Sequence, residues 1–333
     1  MQMVVIDMIK KISLVIPSQN AKKKLIGLLE SVLDSEIIPN EIIIVDSSEK
    51  NFEIPKSLQS LIKKLRINFQ ILYGQKLYPG HARNIGITNA TNSLITFLDT
   101  STVPSKKWLS SSLTLLNELD SDIIWGNTYY QANTYFSKII RASTYGAKPI
   151  KTLPGSIIRK EVFQKCGLFV ESSRAGEDGD WMARSDIHNI SQSNPKEFLY
   201  YDDLNSFNTK TVLKKWFRNY TYSGRLPHRR IQKDFYFYFI SFVAILVAYN
   251  WNTVIASWNT ESIYFIPNIT KLSLAMVILI YVAVRGIFLP KKKGVSLTFI
   301  FPFNFLVISF MSACIDFTKA LAFGYSRFVK KVI

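Results

Sequence analysis

Short β-branched runs alternate with amphipathic stretches through the first two-thirds of the chain. ISLVI (12–16), EIIIV (41–45), NFQILY (68–73), LITFL (94–98) and DIIWG (122–126) have the compact apolar character of strands buried in a sheet. Between several of them lie helical patterns, such as Leu25, Leu28, Leu29, Val32 and Leu33. Strands alternating with helices at a spacing of about 25–30 residues predict βαβ units and a mostly parallel α/β sheet. The last third reads differently. Residues 235–260 carry no charge, and 272–284 are apolar between Lys271 and Arg285, which are placed to snorkel from the two ends. Extended to Leu289, that second segment reaches the roughly 17–25 residues needed to cross a bilayer. A third uncharged run, 294–315, is interrupted by Pro302.

These shifts predict an α/β domain over 1–204, a basic juxtamembrane connector over 205–233, and a membrane region of two or three apolar helices over 234–333. Charge agrees with that division. Residues 1–210 hold 25 Lys/Arg against 21 Asp/Glu, whereas 211–333 hold 16 against 3. Most of the formal net charge of +17 therefore sits beside the uncharged stretches. That placement points to membrane lipid as a partner and away from nucleic acid. Eight Lys/Arg lie between Lys210 and Lys233, and Lys291–Lys293 follow the second span. The connection between the first two spans carries Glu261 and no basic residue before Lys271. Both basic flanks are thus expected on the cytoplasmic side, giving a multi-pass protein with its α/β domain in the cytoplasm. A spanning third segment would put Arg327, Lys330 and Lys331 on the opposite face. A re-entrant path, or an interfacial helix over 316–331 with Phe317, Leu321 and Phe328 on one side, avoids this. The opening MQMVVIDMIKK has too short an apolar run for a secretory signal, and Cys166 and Cys314 lie far apart, which favours a reducing compartment.

In parallel sheets ligands bind beyond the carboxyl ends of the strands. Three exits carry candidate chemistry: Pro17-Ser18-Gln19-Asn20, Asp46-Ser47-Ser48 and Asp99-Thr100-Ser101. A carboxylate there can accept ribose hydroxyls or a base N–H, hold a divalent metal, or simply cap the next turn. Arg83 falls in the first turn of a helix opening at Pro79-Gly80, a combination suited to a diphosphate.

SLVIPSQN (13–20), PNEIIIVDSS (39–48), GHARNIGITNAT (80–91), FLDTSTVP (97–104) and GEDGDWMARS (176–185) together resemble family 2 glycosyltransferases in order and spacing. The resemblance covers roughly residues 10–230 and implies a GT-A, Rossmann-like fold, a nucleotide-sugar donor and an inverting transfer. It implies that Pro17, Ser18, Asp46, Arg83, Asp99 and Ser101 surround the donor and that Asp178 is the catalytic base. Glu177, Asp180, Trp181 and Gly155 are candidates for acceptor or supporting roles, with Trp181 the best placed for stacking on a sugar. Many relatives carry D-x-D, which holds Mg²⁺ or Mn²⁺; here Ser101 replaces the second carboxylate, a poor ligand for hard cations. Asp99 with the donor's phosphates remains one candidate metal site, Arg83 with nearby lysines one replacement, and lost activity a third outcome.

The sequence thus predicts a membrane-anchored, nucleotide-sugar-dependent transferase acting on an acceptor hydroxyl of a lipid-linked or cell-surface glycan. The alternatives are a polyprenyl-phosphate sugar synthase, whose already ionised acceptor needs no base, and a non-catalytic GT-A-like membrane binding protein.

Overall fold

The structure is a computed structural model, and it describes residues 11–50, 53–228 and 236–328. The opening segment through Lys10, together with Arg229, Arg230, Lys233, Lys330 and Lys331, lies outside the described residues. Among the described residues nine strands form one sheet: β1 (Ile12–Ser18), β2 (Glu41–Asp46), β3 (Asn68–Tyr73), β4 (Leu94–Phe97), β5 (Thr102–Val103), β6 (Ile123–Tyr130), β7 (Ile150–Arg159), β8 (Gln192–Ser193) and β9 (Leu199–Tyr201). Their order is β3-β2-β1-β4-β7-β6-β9-β5, with β8 also paired to β6.

The expectation of a mostly parallel sheet holds for most pairings, since β6 also runs parallel to β8 and β9, and fails at β7 and β5. β3, β2, β1 and β4 run parallel, but β7 is antiparallel to both β4 and β6, and β5 is antiparallel to β9. The sheet is mixed. The cause is the excursion between β6 and β7. Its helix α5 (Tyr135–Ser143) buries Ile139 and Ile140 against C-terminal residues such as Ile308 and Met311, not across the sheet, so the chain returns alongside its own path.

Alternation within β1 assigns the two faces. Ile12, Leu14 and Ile16 pack with α1 (Lys22–Leu33), α2 (Lys56–Lys64) and α4 (Trp108–Glu118). Val15 instead joins Ile43, Ile95 and Phe97 beneath α3 (Pro79–Asn89), α6 (Val162–Cys166) and α7 (Glu177–Ile187). At the amino ends of the strands, buried Glu41 accepts hydrogen bonds from Ser13, Asn68 and Thr91. This acid therefore holds strands and loops together at the end opposite the predicted site.

Leu153-Pro154-Gly155-Ser156 lies inside β7. Gly155 has φ +85°, and the β6–β7 register shifts between Ile124 and Gly126. A Cβ at Gly126 would stand 1.8 Å from the Pro154 carbonyl oxygen, a backbone atom with nowhere to go. Gly126→Ala is expected to destabilise the domain by at least about 1–3 kcal/mol through overpacking. Gly27→Ala, in α1 with open space around it, is expected to cost nothing, or to gain about 0.5–1 kcal/mol of helix propensity. Paired thermal melts check both.

The C-terminal third begins with α8 (Thr209–Ser223), capped by Asn208, whose Oδ1 accepts from the Thr211 N–H at 2.9 Å. α9 (Tyr236–Val254) and α10 (Ile269–Val282) follow, and helical chain continues from α10 through a π-helical stretch and α11 (Leu289–Lys292). A short α12 (Leu297–Ile300) precedes α13 (Asn304–Phe328). Two helices, Ile269–Lys292 and Asn304–Phe328, are long and apolar enough to cross a membrane; α9 is a shorter apolar helix.

The third apolar run differs from its expected bounds. Its long helix starts only after Pro302 and continues unbroken through Asp316 to Phe328. One stripe of α13, including Ile308, Met311 and Ile315, shares a core with Ile139 and Ile140 of α5 and Val212 of α8. The opposite stripe leaves Phe310, Phe317, Leu321 and Phe328 exposed. Arg285, expected to snorkel outward, instead pairs with Asp316 of α13 at 2.8–2.9 Å. Asp316 also accepts from Tyr281 and Lys319, so the one acid of α13 is neutralised inside the helix packing.

Candidate active site

The carboxyl ends of β1 and β4 open into a cleft of about 570 Å³. It is lined by Pro17 and Ser18 from the end of β1, Asp99 beyond β4, Arg83 from the first turn of α3, and Glu177 and Asp178 at the start of α7. The sequence separated these residues by up to 161 positions, and the sheet brings them together.

Arg83 is the hinge of the arrangement. Its Nη2 donates to Asp99 Oδ1 at 2.9 Å and its Nη1 to Glu177 Oε1 at 2.7 Å. The guanidinium and the Glu177 side chain are almost wholly buried, whereas the Asp99 side chain is 40% exposed and open to a ligand. Burial opposes the charge on Arg83, but Asp99, Glu177 and Asp178 outweigh it and hold the group above its ordinary range. Glu177 moves the other way from a simple ion pair. Burial first, then the neighbouring Asp178 charge, raise its pKa despite the Arg83 contact.

Gly176 enters α7 in the left-handed conformation, φ 87°, which turns the chain so that three acids, Glu177, Asp178 and Asp180, occupy the first helical turn. They diverge from there. Asp178 stays partly exposed on the cleft, with Oδ1 accepting from the Gly179 N–H at 2.7 Å. Asp180 is buried away from it, bonded to Arg184 Nε at 3.0 Å and to the His228 backbone N–H at 3.2 Å. It fastens the chain beyond α8 to α7 rather than facing the cleft.

Other expected site residues also fall outside the cleft lining. Trp181 is fully buried, packed among Phe163, Phe169 and Trp125 with its N–H on the Gly167 carbonyl, so it has no face for a sugar. Gly155 is packed against Leu199 in the β-bulge. Asp46 is buried at the end of β2 and accepts from the Ser48 hydroxyl at 2.9 Å, although the adjacent Ser47 does line the cleft. Ser101 donates to Asp203 at 2.7 Å, and Lys24 lies 2.6 Å from the other oxygen of Asp203.

The remaining wall was not foreseen. Tyr130 and Tyr145 stack with ring centroids 3.8 Å apart, Tyr201 leans on Tyr130, and Lys215, Trp216 and Asn219 of α8 close the side. The connector helix is thus part of the cleft. Spacing held the signal: Val212, Lys215 and Asn219 recur at three and four residues, one face of a helix. Desolvation pushes the Lys215 ammonium down to about 8, against opposing pulls from Asp203 and Asp99. Because its folded pKa lies below the unfolded 10.5, the charged group costs stability at every pH below about 8, and that cost is relieved as pH rises from about 8 to 10.5.

Residues 13–167 match the family model described as Glycosyl transferase family 2. The matched segment, a little under half of the chain, is that of a family 2 glycosyltransferase. The chain's mixed α/β sheet is GT-A-like, and the matched segment supplies β1, Arg83 and Asp99 of the cleft. Among curated proteins it is similar to the glycosyltransferase AglE of Haloferax volcanii, 22% identical over 188 residues, covering 52% of this chain and 60% of that protein. It is also similar to the glycosyltransferase GlyG of Streptococcus pneumoniae serotype 4, 28% identical over 120 residues, covering 35% and 39%. The matches therefore span less than two-thirds of these relatives' own length. A crystal structure of S. aureus TarS 1-349 in complex with UDP-GlcNAc aligns over 90% of each chain at 15% identity, with a TM-score of 0.44.

Family 2 enzymes typically use a divalent metal, held at the D-x-D position. One Asp99 oxygen is held by Arg83, the Ser101 hydroxyl is turned to Asp203, and Asp203 is paired with Lys24. Among the described residues no three His, Cys, Asp or Glu side chains group as a metal site. Arg83 and Lys24 already hold the two acids of this position, Asp99 and Asp203, and that set does not suit a hard divalent ion.

Proposed function

We propose that this protein is a membrane-anchored inverting glycosyltransferase that moves a sugar from a nucleotide-sugar donor to an acceptor hydroxyl, with Asp178 as base. The observation that carries this reading is the convergence of Ser18, Arg83, Asp99 and Asp178 on one cleft at the strand ends. The Ser18 hydroxyl is buried at the edge of the cleft and has no hydrogen-bond partner among the described residues. In the transfer, the acceptor oxygen attacks the anomeric carbon as its proton passes to the Asp178 carboxylate. The bond from that carbon to the diphosphate breaks, and its electron pair leaves with the phosphate oxygen. Arg83 holds Asp99 and Glu177 in place and adds positive charge where the leaving group's charge grows.

α9 and α10 expose apolar side chains along their lengths, including Phe239, Phe242, Val247, Leu272, Met276 and Leu279. They form an antiparallel pair, which reads as a membrane hairpin. Its far end returns to the domain, since the Lys293 carbonyl accepts from Ala147 and Lys148. With the basic connector at the near end, both flanks lie on the domain's side, which is cytoplasmic by the positive-inside rule. α13 then lies along the membrane surface, core stripe on the domain and aromatic stripe toward lipid. This removes the conflict over Arg327. A cleft held at the bilayer suits a lipid-linked glycan acceptor.

The test is release of nucleoside diphosphate by the full chain in lipid nanodiscs, across a panel of nucleotide sugars with and without a polyprenyl-diphosphate glycan. Release stimulated by the lipid-linked acceptor for one or a few donors is expected. Equal activity on water-soluble sugars would contradict the lipid acceptor.

A further inference from the structure

The connector helix α8 places a lysine where no acid waits for it. Lys215 lines the cleft with Tyr130, Tyr145 and Tyr201, and so do Asp99 and Arg83. Its ammonium lies 4.9 Å from the centre of the Phe207 ring, 5.3 Å from Tyr201 and 5.9 Å from Tyr145. Its hydrogen bond is to the Tyr201 hydroxyl at 3.3 Å, and among the described residues it makes no ion pair. Asp203, the nearest acid by its electrostatic pull, is already engaged by Lys24 and Ser101. A cation drawn in among aromatic rings without an anion is costly unless a ligand supplies one. The ligand class follows from the neighbours. At the position where a D-x-D pair would hold a divalent ion, Arg83 bonds Asp99, Lys24 reaches Ser101 at 3.3 Å, and Lys215 lines the same cleft; each of that ion's expected protein ligands is already bonded to a cation or to another side chain.

We propose that Lys215 binds the donor's diphosphate and supplies, without a metal, the positive charge that neutralises the departing nucleoside diphosphate. This inference rests on the donor reading of the cleft. The connector is therefore a part of the donor site and not only a basic strip for lipid headgroups. Its inward Lys215 makes the packing of α8 against the cleft a condition for holding the leaving group. No proton leaves Lys215 in this role; it acts as a fixed charge while Asp178 takes the acceptor's proton.

The test uses inorganic pyrophosphate, a diphosphate that does not depend on the base, titrated calorimetrically into the full chain in nanodiscs with EDTA present. Farnesyl phosphate, a lipid-phosphate analogue, is titrated in parallel. Wild-type protein is expected to bind pyrophosphate in EDTA, and Lys215→Met to bind it weaker by on the order of tenfold or more, as loss of a charge-assisted contact predicts. Farnesyl phosphate binding is expected to be unchanged by the substitution. Without ligand, Lys215→Met is expected to melt no lower than wild type, because no ion pair is broken, while losing the melting shift that pyrophosphate gives the wild type. The wild-type arm does not depend on the variant's folding. Pyrophosphate binding that requires Mg²⁺ overturns the proposal, as does unchanged binding in Lys215→Met, and loss of farnesyl phosphate binding alone assigns the lysine to the acceptor and overturns it too. A wild-type chain that binds neither pyrophosphate nor any nucleoside diphosphate, with or without Mg²⁺, overturns the donor cleft itself.

Discussion

Asp178→Asn is expected to lower sugar transfer to a hydroxyl acceptor by about 10²–10⁴-fold, the range a positioned general base contributes, with donor affinity little changed. The amide keeps the shape at the start of α7 and can still accept from the Gly179 N–H, but it cannot take a proton. The two sides of that result are measured separately, donor binding by calorimetry and transfer by single-turnover kinetics. The same variant separates the two lipid acceptors. A polyprenyl phosphate arrives ionised, so a phosphate acceptor would tolerate Asp178→Asn, whereas a glycan hydroxyl would not. A loss of donor binding matching the loss of rate would mean that Asp178 holds the donor instead.

Arg83→Met is expected to act on both fold and function. Removing the guanidinium leaves buried Glu177 without its counter-charge, and breaking a buried pair costs about 3–5 kcal/mol. Its large effect on melting temperature would by itself say little about the donor. The double variant Arg83→Met/Glu177→Gln divides the two roles. Replacing the stranded carboxylate by an amide is expected to recover much of the stability, while nucleoside diphosphate binding stays lost because the cation facing the cleft is still missing. Recovery of binding together with stability would make Arg83 a structural residue only.

How much of this was legible in the sequence depended on whether a residue's direction followed from local pattern. The β-branched runs and their exits located β1 to β4, and with them Ser18, Arg83 and Asp99, because a parallel strand has one carboxyl end and the chain leaves from it. Direction within α7 was harder to read. Trp181 is one turn beyond Glu177, on the same buried face, while Asp178 lies about 100° round the helix and stays on the cleft. Proximity in sequence to Asp178 therefore suggested a sugar platform where the fold builds core. The antiparallel course of β7 was hidden for a related reason: nothing local to Ile150–Arg159 records that α5 docks on α13. Lys215 was counted with a basic run and read as facing lipid, although its spacing from Val212 and Asn219 marks an inward face. The C-terminal helix was broken at Asp316 by its charge. The structure shows that acid satisfied by Lys319 one turn along α13 and by Arg285 and Tyr281 from the preceding long helix, two contacts that no local pattern records.

The most direct measurement of the central claim is the anomeric configuration of the sugar in the product, read by proton NMR for a donor that the full chain turns over. An acceptor oxygen deprotonated by Asp178 and attacking opposite the diphosphate predicts inversion, with none of the donor's configuration carried into the product. Retained configuration would contradict a single displacement in this cleft and, with it, the role given to Asp178.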